Sequence, residues 1–188
     1  MGPGLVTAAL SVPLERDLPS ALVPATLFDR QGRVFHVRSY TDEDRSALDR
    51  FYHDFEPKRA AQGLPPEGES RIARWLDGIL PGGTHLIVEV EGRMAGHAML
   101  MPTDRPGVRE YAIFLDHGVR GRGLGTQVNR LSADVARTLD LDRLWLSVEP
   151  HNRPALRSYQ KAGFRYRGAT IYSPEVEMEL DLHASGTS

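Results

Sequence analysis

Glycine recurs at alternate positions, 121, 123 and 125, in the stretch VRGRGLGTQV (residues 119–128). The run before it, REYAIFLDHG, is apolar and aromatic and predicts a central strand at about 110–116. After it, Leu124, Val128, Leu131, Val135 and Leu139 recur at spacings of 4, 3, 4 and 4, which predicts a helix with one buried face. A strand, a glycine turn and a helix aim free backbone N–H groups and the positive end of a helix dipole at one spot, where a phosphate fits. Glycines let the backbone approach such an anion closely, and Arg120 and Arg122 can add charge. The same turn also serves as a plain connection with no ligand. Two nucleotide motifs fail: the dinucleotide pattern counted from Gly121 needs a glycine at 126, which is Thr126, and no Gly-Lys-Ser/Thr follows for a P-loop.

The rest of the chain mixes the two periods. In TLFDRQGRVFHVR (26–38) apolar residues alternate on either side of Gln31–Gly32, predicting a hairpin that leads into a first strand over Val34 to Val37. Thr41, with Asp44 three residues on, caps a helix that places Leu48, Phe51, Tyr52 and Phe55 on one face. After a Gly- and Pro-containing stretch at 63–68, ESRIARWLDGIL forms a second helix with Ile72, Trp75, Leu76, Ile79 and Leu80 as its apolar side. THLIVEVEGRMAGHAMLMP predicts a hairpin turning at Glu91–Gly92. RLWLSVE (143–149) reads as a strand and is followed by a helix with Asn152 as cap, Pro154 in its first turn and Gly163 past its end. FRYRGATIY and EVEMELDL then form two strands turning at Ser173–Pro174. This order predicts an α/β (α+β) fold with strand–helix–strand units in its second half and hairpins beside them.

A chain of 188 residues, 40% hydrophobic, predicts one domain with one buried core, spanning about 25–182. Residues 1–24, with Pro3, Pro13, Pro19 and Pro24 among small residues, read as an arm, and 183–188 as a disordered tail. The 23 basic and 25 acidic residues leave a formal charge of −2, which gives no long-range pull toward nucleic acid or an anionic membrane. Without cysteine the chain has no disulfide framework and no thiolate chemistry of its own. No apolar run approaches a membrane span, no basic region precedes an apolar N-terminus, and Val6 breaks the myristoylation pattern, so a cytoplasmic location is expected. The histidines show no metal-site spacing, and no metal is expected.

Two segments together are more specific than either alone. Arg120, Gly123 and Gly125 match an Arg/Gln-x-x-Gly-x-Gly/Ala signature, and some thirty residues later Asn152, Ala155, Tyr159, Gly163 and Phe164 match Asn-x-x-Ala-x-x-x-Tyr-x-x-x-Gly-Phe, with Lys161 also typical. In this order the sequence resembles the GCN5-related N-acetyltransferase (GNAT) family over roughly residues 26–182, and the likeness fades before residue 25. The resemblance implies a mixed, mostly antiparallel sheet of six to seven strands flanked by about four helices, with a splayed strand pair that admits acyl-CoA. It implies acetyl-CoA as the acetyl donor, with its pyrophosphate on the loop formed by Arg120, Gly121, Arg122, Gly123, Leu124, Gly125 and Thr126, and its pantetheine arm along the backbone around Leu115.

The chemistry sets its own requirements. An amine arrives as ammonium, must lose a proton to attack the thioester, and passes through an oxyanion before a thiolate leaves. The resemblance places Tyr159 beside the cofactor sulfur as the acid, and gives Asn152 a contact to the cofactor besides its capping role. Glu110, at the start of the central strand, is the expected base, with Asp116, His117 and Glu149 near the same cleft. The expected acceptor is a small-molecule amine or a protein or peptide amine, met by residues 41–80 and the last hairpin. Asp42, Glu43, Asp44, Asp49, Asp54 and Glu56 would suit a cationic amine, although a solvated acidic helix face explains the same charges. Phe51, Tyr52, Phe55 and Trp75 are candidates for an acceptor pocket or for core. A homodimer is compatible with this reading. The alternative is an acyl-CoA-binding or regulatory module with little or no transfer, and an ATP- or NAD-binding domain is disfavoured by the failed motif spacings.

Overall fold

Two strands are apolar on both faces, and they set the architecture. The computed structural model describes residues 22–58, 63–168 and 175–183. Within them β3 (Thr84–Val90) and β4 (Arg93–Pro102) form the expected hairpin, with Glu91 (φ 52°) and Gly92 (φ 71°) both left-handed as a two-residue turn requires. Leu86 and Val88 of β3 enter one core layer and Ile87 the other. Strands buried on both sides need helices above and below them.

Eight strands form one sheet: β1 (Ala25–Phe28), β2 (Val34–Ser39), β3, β4, β5 (Val108–Leu115), β6 (Arg143–Val148), β8 (Val176–Asp181) and β7 (Arg165–Tyr166), in that spatial order. Every pairing is antiparallel except β5 with β6. The mixed, mostly antiparallel architecture and the four helices are as expected, but the strand count exceeds the expected six to seven. The count of six to seven followed from the resemblance; the additional strands are short edge strands, the first arm of the hairpin read over 26–38 (β1, four residues) and the start of FRYRGATIY (β7, two residues). The turn expected at Ser173–Pro174 lies outside the described residues.

Helices α1 (Arg45–Asp54) and α2 (Glu69–Ile79) cover one face, packing Leu48, Tyr52, Ile72 and Leu76 on Ile87, Met99 and Phe114. Helices α3 (Leu124–Thr138) and α4 (Arg153–Lys161) cover the other, packing Leu124, Val128, Leu131, Val135, Leu156 and Tyr159 toward Val37, Leu86, Tyr111 and Leu144. Burial of each such side chain stabilises the fold by about 1.5–3 kcal/mol. The entry to α1 is fixed by Thr41, whose N–H donates to Asp44 at 2.8 Å, while Arg38 forks onto the same carboxylate with two bonds of 2.7 Å. At the margins of the expected domain, Val23 is buried in the core and His183 lies 2.8 Å from Asp142.

A polar chain runs through the α1–α2 layer. The Tyr52 hydroxyl lies 2.7 Å from His97 Nδ1, His97 Nε2 lies 3.0 Å from His85 Nδ1, and His85 Nε2 reaches the carbonyls of Ile79 (3.1 Å) and Gly82 (2.8 Å). Carbonyls only accept, so His85 carries its proton on Nε2, and with both rings neutral His97 donates to His85 and Tyr52 to His97. Burial pushes both imidazoles below the ordinary histidine range, and for His97 the neighbouring His85 adds to the shift. The unfolded chain therefore takes up protons below about pH 6.5 that the fold refuses, and stability present above that value is lost as the pH falls. The thermal midpoint is expected to drop between pH 7.5 and 5.0, and a flat or rising midpoint in a calorimetric series would sink this account.

Candidate active site

The parallel pairing of β5 with β6 lasts three residues: Val108 with Arg143, Arg109 with Leu144, and Glu110 with Trp145. Beyond Glu110 the strands run on to Leu115 and Val148 without pairing to each other. Asp116 N–H donates to Ala95 O at 2.8 Å, so alternation along β5 turns the main-chain groups of Leu115 and Ile113 away from β4 and toward the gap. A cleft of about 920 Å³ opens there.

The glycine loop closes one end of it. Gly121 (φ 74°) and Gly123 (φ 92°) are left-handed, and Gly123 caps α3 without any side-chain hydrogen bond. The first bond into the helix runs from Gln127 N to Gly123 O, which leaves the N–H groups of Leu124, Gly125 and Thr126 without intrahelical acceptors. Gly125 lets α4 come close, because a Cβ there would stand 3.1 Å from Ser158 Oγ and 3.5 Å from Leu115 Cδ1.

Nine of the eleven expected site residues line this cleft: Leu115, Arg120, Gly121, Gly123, Leu124, Gly125, Thr126, Asn152 and Tyr159. Both loop arginines, however, are engaged by the protein. Arg120 donates to Leu115 O (2.9 Å) and Glu56 O (2.8 Å) and lies over the Phe55 ring at 5.2 Å. Arg122, expected to add charge at the anion, is not among the residues that line the cleft. Its Nε and Nη2 each lie 2.8 Å from the carboxylate of buried Asp29, in the β1–β2 turn. Burial works against ionisation of Asp29, but bonds from the amides of Arg33 and Gln31 and from the guanidinium groups of Arg122 and Arg33 hold its carboxyl well below the usual range.

Tyr159 is buried, with its ring edge-on to Tyr111 (6.3 Å) and tilted against Phe164 (5.7 Å). Its hydroxyl has no hydrogen-bond partner among the described residues, and burial raises its pKa, so it is a protonated, available donor at neutral pH. Asn152 accepts from Ala155 N at 3.3 Å, which is the expected cap, while also lining the cleft.

Glu110 does not line the cleft. It is partly buried where the β5–β6 pairing ends, on the sheet face opposite Tyr111, and burial raises its carboxyl above the ordinary range. Of the other carboxylates considered, Glu149 lines the cleft 2.9 Å from His151, and Asp116 accepts from Gly118 N. The acidic run on the first helix is partly spent internally, since Asp44 binds Arg38 and Asp49 binds Arg45. Phe55 reaches the cleft, whereas Tyr52 is core and Trp75 packs edge-on against it at 4.8 Å.

Among the cleft residues that sequence reasoning missed are Asn129, Ser158 and Arg30. Asn129, buried on α3, accepts from the Tyr111 hydroxyl (2.9 Å) and donates to Ser158 Oγ (3.1 Å), which lies 3.3 Å from Thr126 Oγ1. Polar residues within the helix's apolar stripe were the available signal for this chain of bonds. Arg30 lies against Gly123, and no local pattern connects those two positions. Among the described residues, no three histidine or acidic side chains are grouped to hold a metal, and no helix is long and apolar enough to cross a membrane.

The chain belongs to the acetyltransferase (GNAT) family, whose model matches residues 46–164. It is similar to the mycothiol acetyltransferase of Mycobacteroides abscessus, 28% identical over 79% of this chain and 49% of that protein. It is also similar to the spermidine N(1)-acetyltransferase of Escherichia coli K12, 32% identical over 46% of this chain and 47% of that protein. The chain thus spans about half the length of the curated relatives it matches. Its fold is that of the GNAT domain of S. lividans PAT (TM-score 0.69, 20% identity, 84% of this chain and 96% of that one). It is likewise that of yncA from Salmonella typhimurium, solved with acetyl-CoA (TM-score 0.63, 20% identity, 81% and 96% of the two chains).

Proposed function

We propose that this chain is an acetyl-CoA-dependent N-acetyltransferase acting on a primary amine by direct attack in a ternary complex. The observation that carries the reading is the split after Glu110–Trp145, which exposes one edge of β5 between the glycine loop and Tyr159, a cleft-lining tyrosine whose hydroxyl has no partner among the described residues. The donor's pyrophosphate would sit on the N–H groups of Leu124, Gly125 and Thr126, and its amide-bearing arm would bond the open edge at Ile113 and Leu115. This brings the thioester toward the closed end of the split, where Glu110 stands.

Glu110, whose carboxylate burial makes more basic than a solvated one, takes the ammonium proton directly or through water. The neutral amine attacks the thioester carbonyl, and an N–H on the open edge of β5 stabilises the oxyanion. The C–S bond then breaks: the Tyr159 hydroxyl gives its proton to the thiolate, the adduct nitrogen releases its extra proton through water to the Tyr159 oxygen as the amide forms, and Glu110 passes the proton it took to solvent. Relatives named as a spermidine N(1)-acetyltransferase and a mycothiol acetyltransferase support a small-molecule amine as acceptor.

Free-thiol release from acetyl-CoA across polyamines, amino acids, aminoglycosides and lysine peptides tests the reading. Turnover with a small amine supports it, and binding of acetyl-CoA without transfer to any acceptor would favour a binding module instead. With the amine identified, kcat/KM is expected to rise with pH through a value above the ordinary glutamate range, and Glu110→Gln to remove that limb. A limb unchanged in Glu110→Gln would move the base to another carboxylate such as Glu149.

A further inference from the structure

The motif arginines hold scaffold, so the charge facing the glycine loop comes from elsewhere. Arg30, in the β1–β2 turn, lies on Gly123: a Cβ at Gly123 would meet Arg30 Cγ at 3.0 Å and Nε at 3.2 Å. Its backbone N–H donates to Arg122 O at 3.0 Å, and Gln127 Nε2 donates to Phe28 O, so the turn is stitched to the loop on either side of Asp29. The Asp29 carboxylate, fully shielded, holds Arg122 across the same junction. Arg30 itself is exposed, lines the cleft and has no acidic partner among the described residues. A cation without a carboxylate, laid beside free helix N–H groups, is arranged for an anion.

We propose, resting on the donor reading above, that Arg30 binds the pyrophosphate of the acyl donor and that Asp29 is the positioning residue that sets it there, by anchoring the turn through Arg122. A guanidinium from the first hairpin thus does what Arg122 of the loop cannot, because Arg122 is committed to Asp29. The turn and the loop form one two-part phosphate site.

Calorimetric titration of wild type, Arg30→Gln and Asp29→Asn with acetyl-CoA, 3′-dephospho-CoA and pantetheine tests this. Arg30→Gln is expected to weaken acetyl-CoA and 3′-dephospho-CoA equally, by about tenfold, as loss of one charge-assisted contact does, and to leave pantetheine unchanged. Asp29→Asn is expected to weaken the same two ligands, with little further loss when combined with Arg30→Gln, since both act through one guanidinium. An unchanged affinity in Arg30→Gln, or a loss confined to acetyl-CoA and absent with 3′-dephospho-CoA, would overturn the pyrophosphate assignment, and additive losses would overturn the role of Asp29. If wild type fails to bind acetyl-CoA, the donor reading falls and takes this proposal with it, an outcome distinct from the others.

Discussion

Gly123→Val is expected to weaken acetyl-CoA binding by on the order of 100-fold, from two losses that act at the same place. A β-branched residue at φ 92° is strained, at a cost of about 1–3 kcal/mol, and the loop relieves the strain by moving. Its Cβ also enters the space of Arg30, and its methyl groups stand in front of the helix N–H donors, each worth about 1.5–3 kcal/mol toward a charged oxygen. Isothermal calorimetry gives the affinity, and circular dichroism checks that the sheet persists. Binding at wild-type strength would remove the loop from the donor site. Gly123→Ala, without the branch, is expected to fall between the two.

The second large effect is on turnover. Tyr159→Phe is expected to lower kcat by about 100-fold while acetyl-CoA affinity stays within about twofold, as removal of one proton-transfer group does. The structure makes this variant clean. The hydroxyl has no partner among the described residues to leave orphaned, and phenylalanine keeps the ring contacts with Tyr111 and Phe164. Thermal stability is therefore expected to hold. Unchanged turnover would return Tyr159 to a packing role, and a parallel fall in affinity and turnover would indicate a displaced helix instead of a lost proton.

Local signals carried most of the fold. The period of Leu124, Val128, Leu131 and Val135 located α3 because its buried face is continuous, and the Asn152–Pro154–Gly163 punctuation located α4 because caps are short-range chemistry. The glycines of the loop were legible for the same reason. What was hidden depends on distance along the chain. Arg122 reads as an anion ligand from its neighbours alone, and only the fold brings Asp29 against it. Arg30 carries no motif, and its place on Gly123 follows from the edge pairing of a four-residue strand. The histidine chain across β3 and β4 was equally invisible, since His85 and His97 become neighbours only through hairpin register.

The three-residue seam between β5 and β6 has a mechanical side. Among the described residues it is the sheet's only bridge between the strands preceding the glycine loop and those following it, and it is short. A ligand hydrogen-bonded along the open edge of β5 and resting on α4 would extend that bridge as a splint extends a joint. Donor occupancy would then register as slower amide exchange at Ile113 and Leu115.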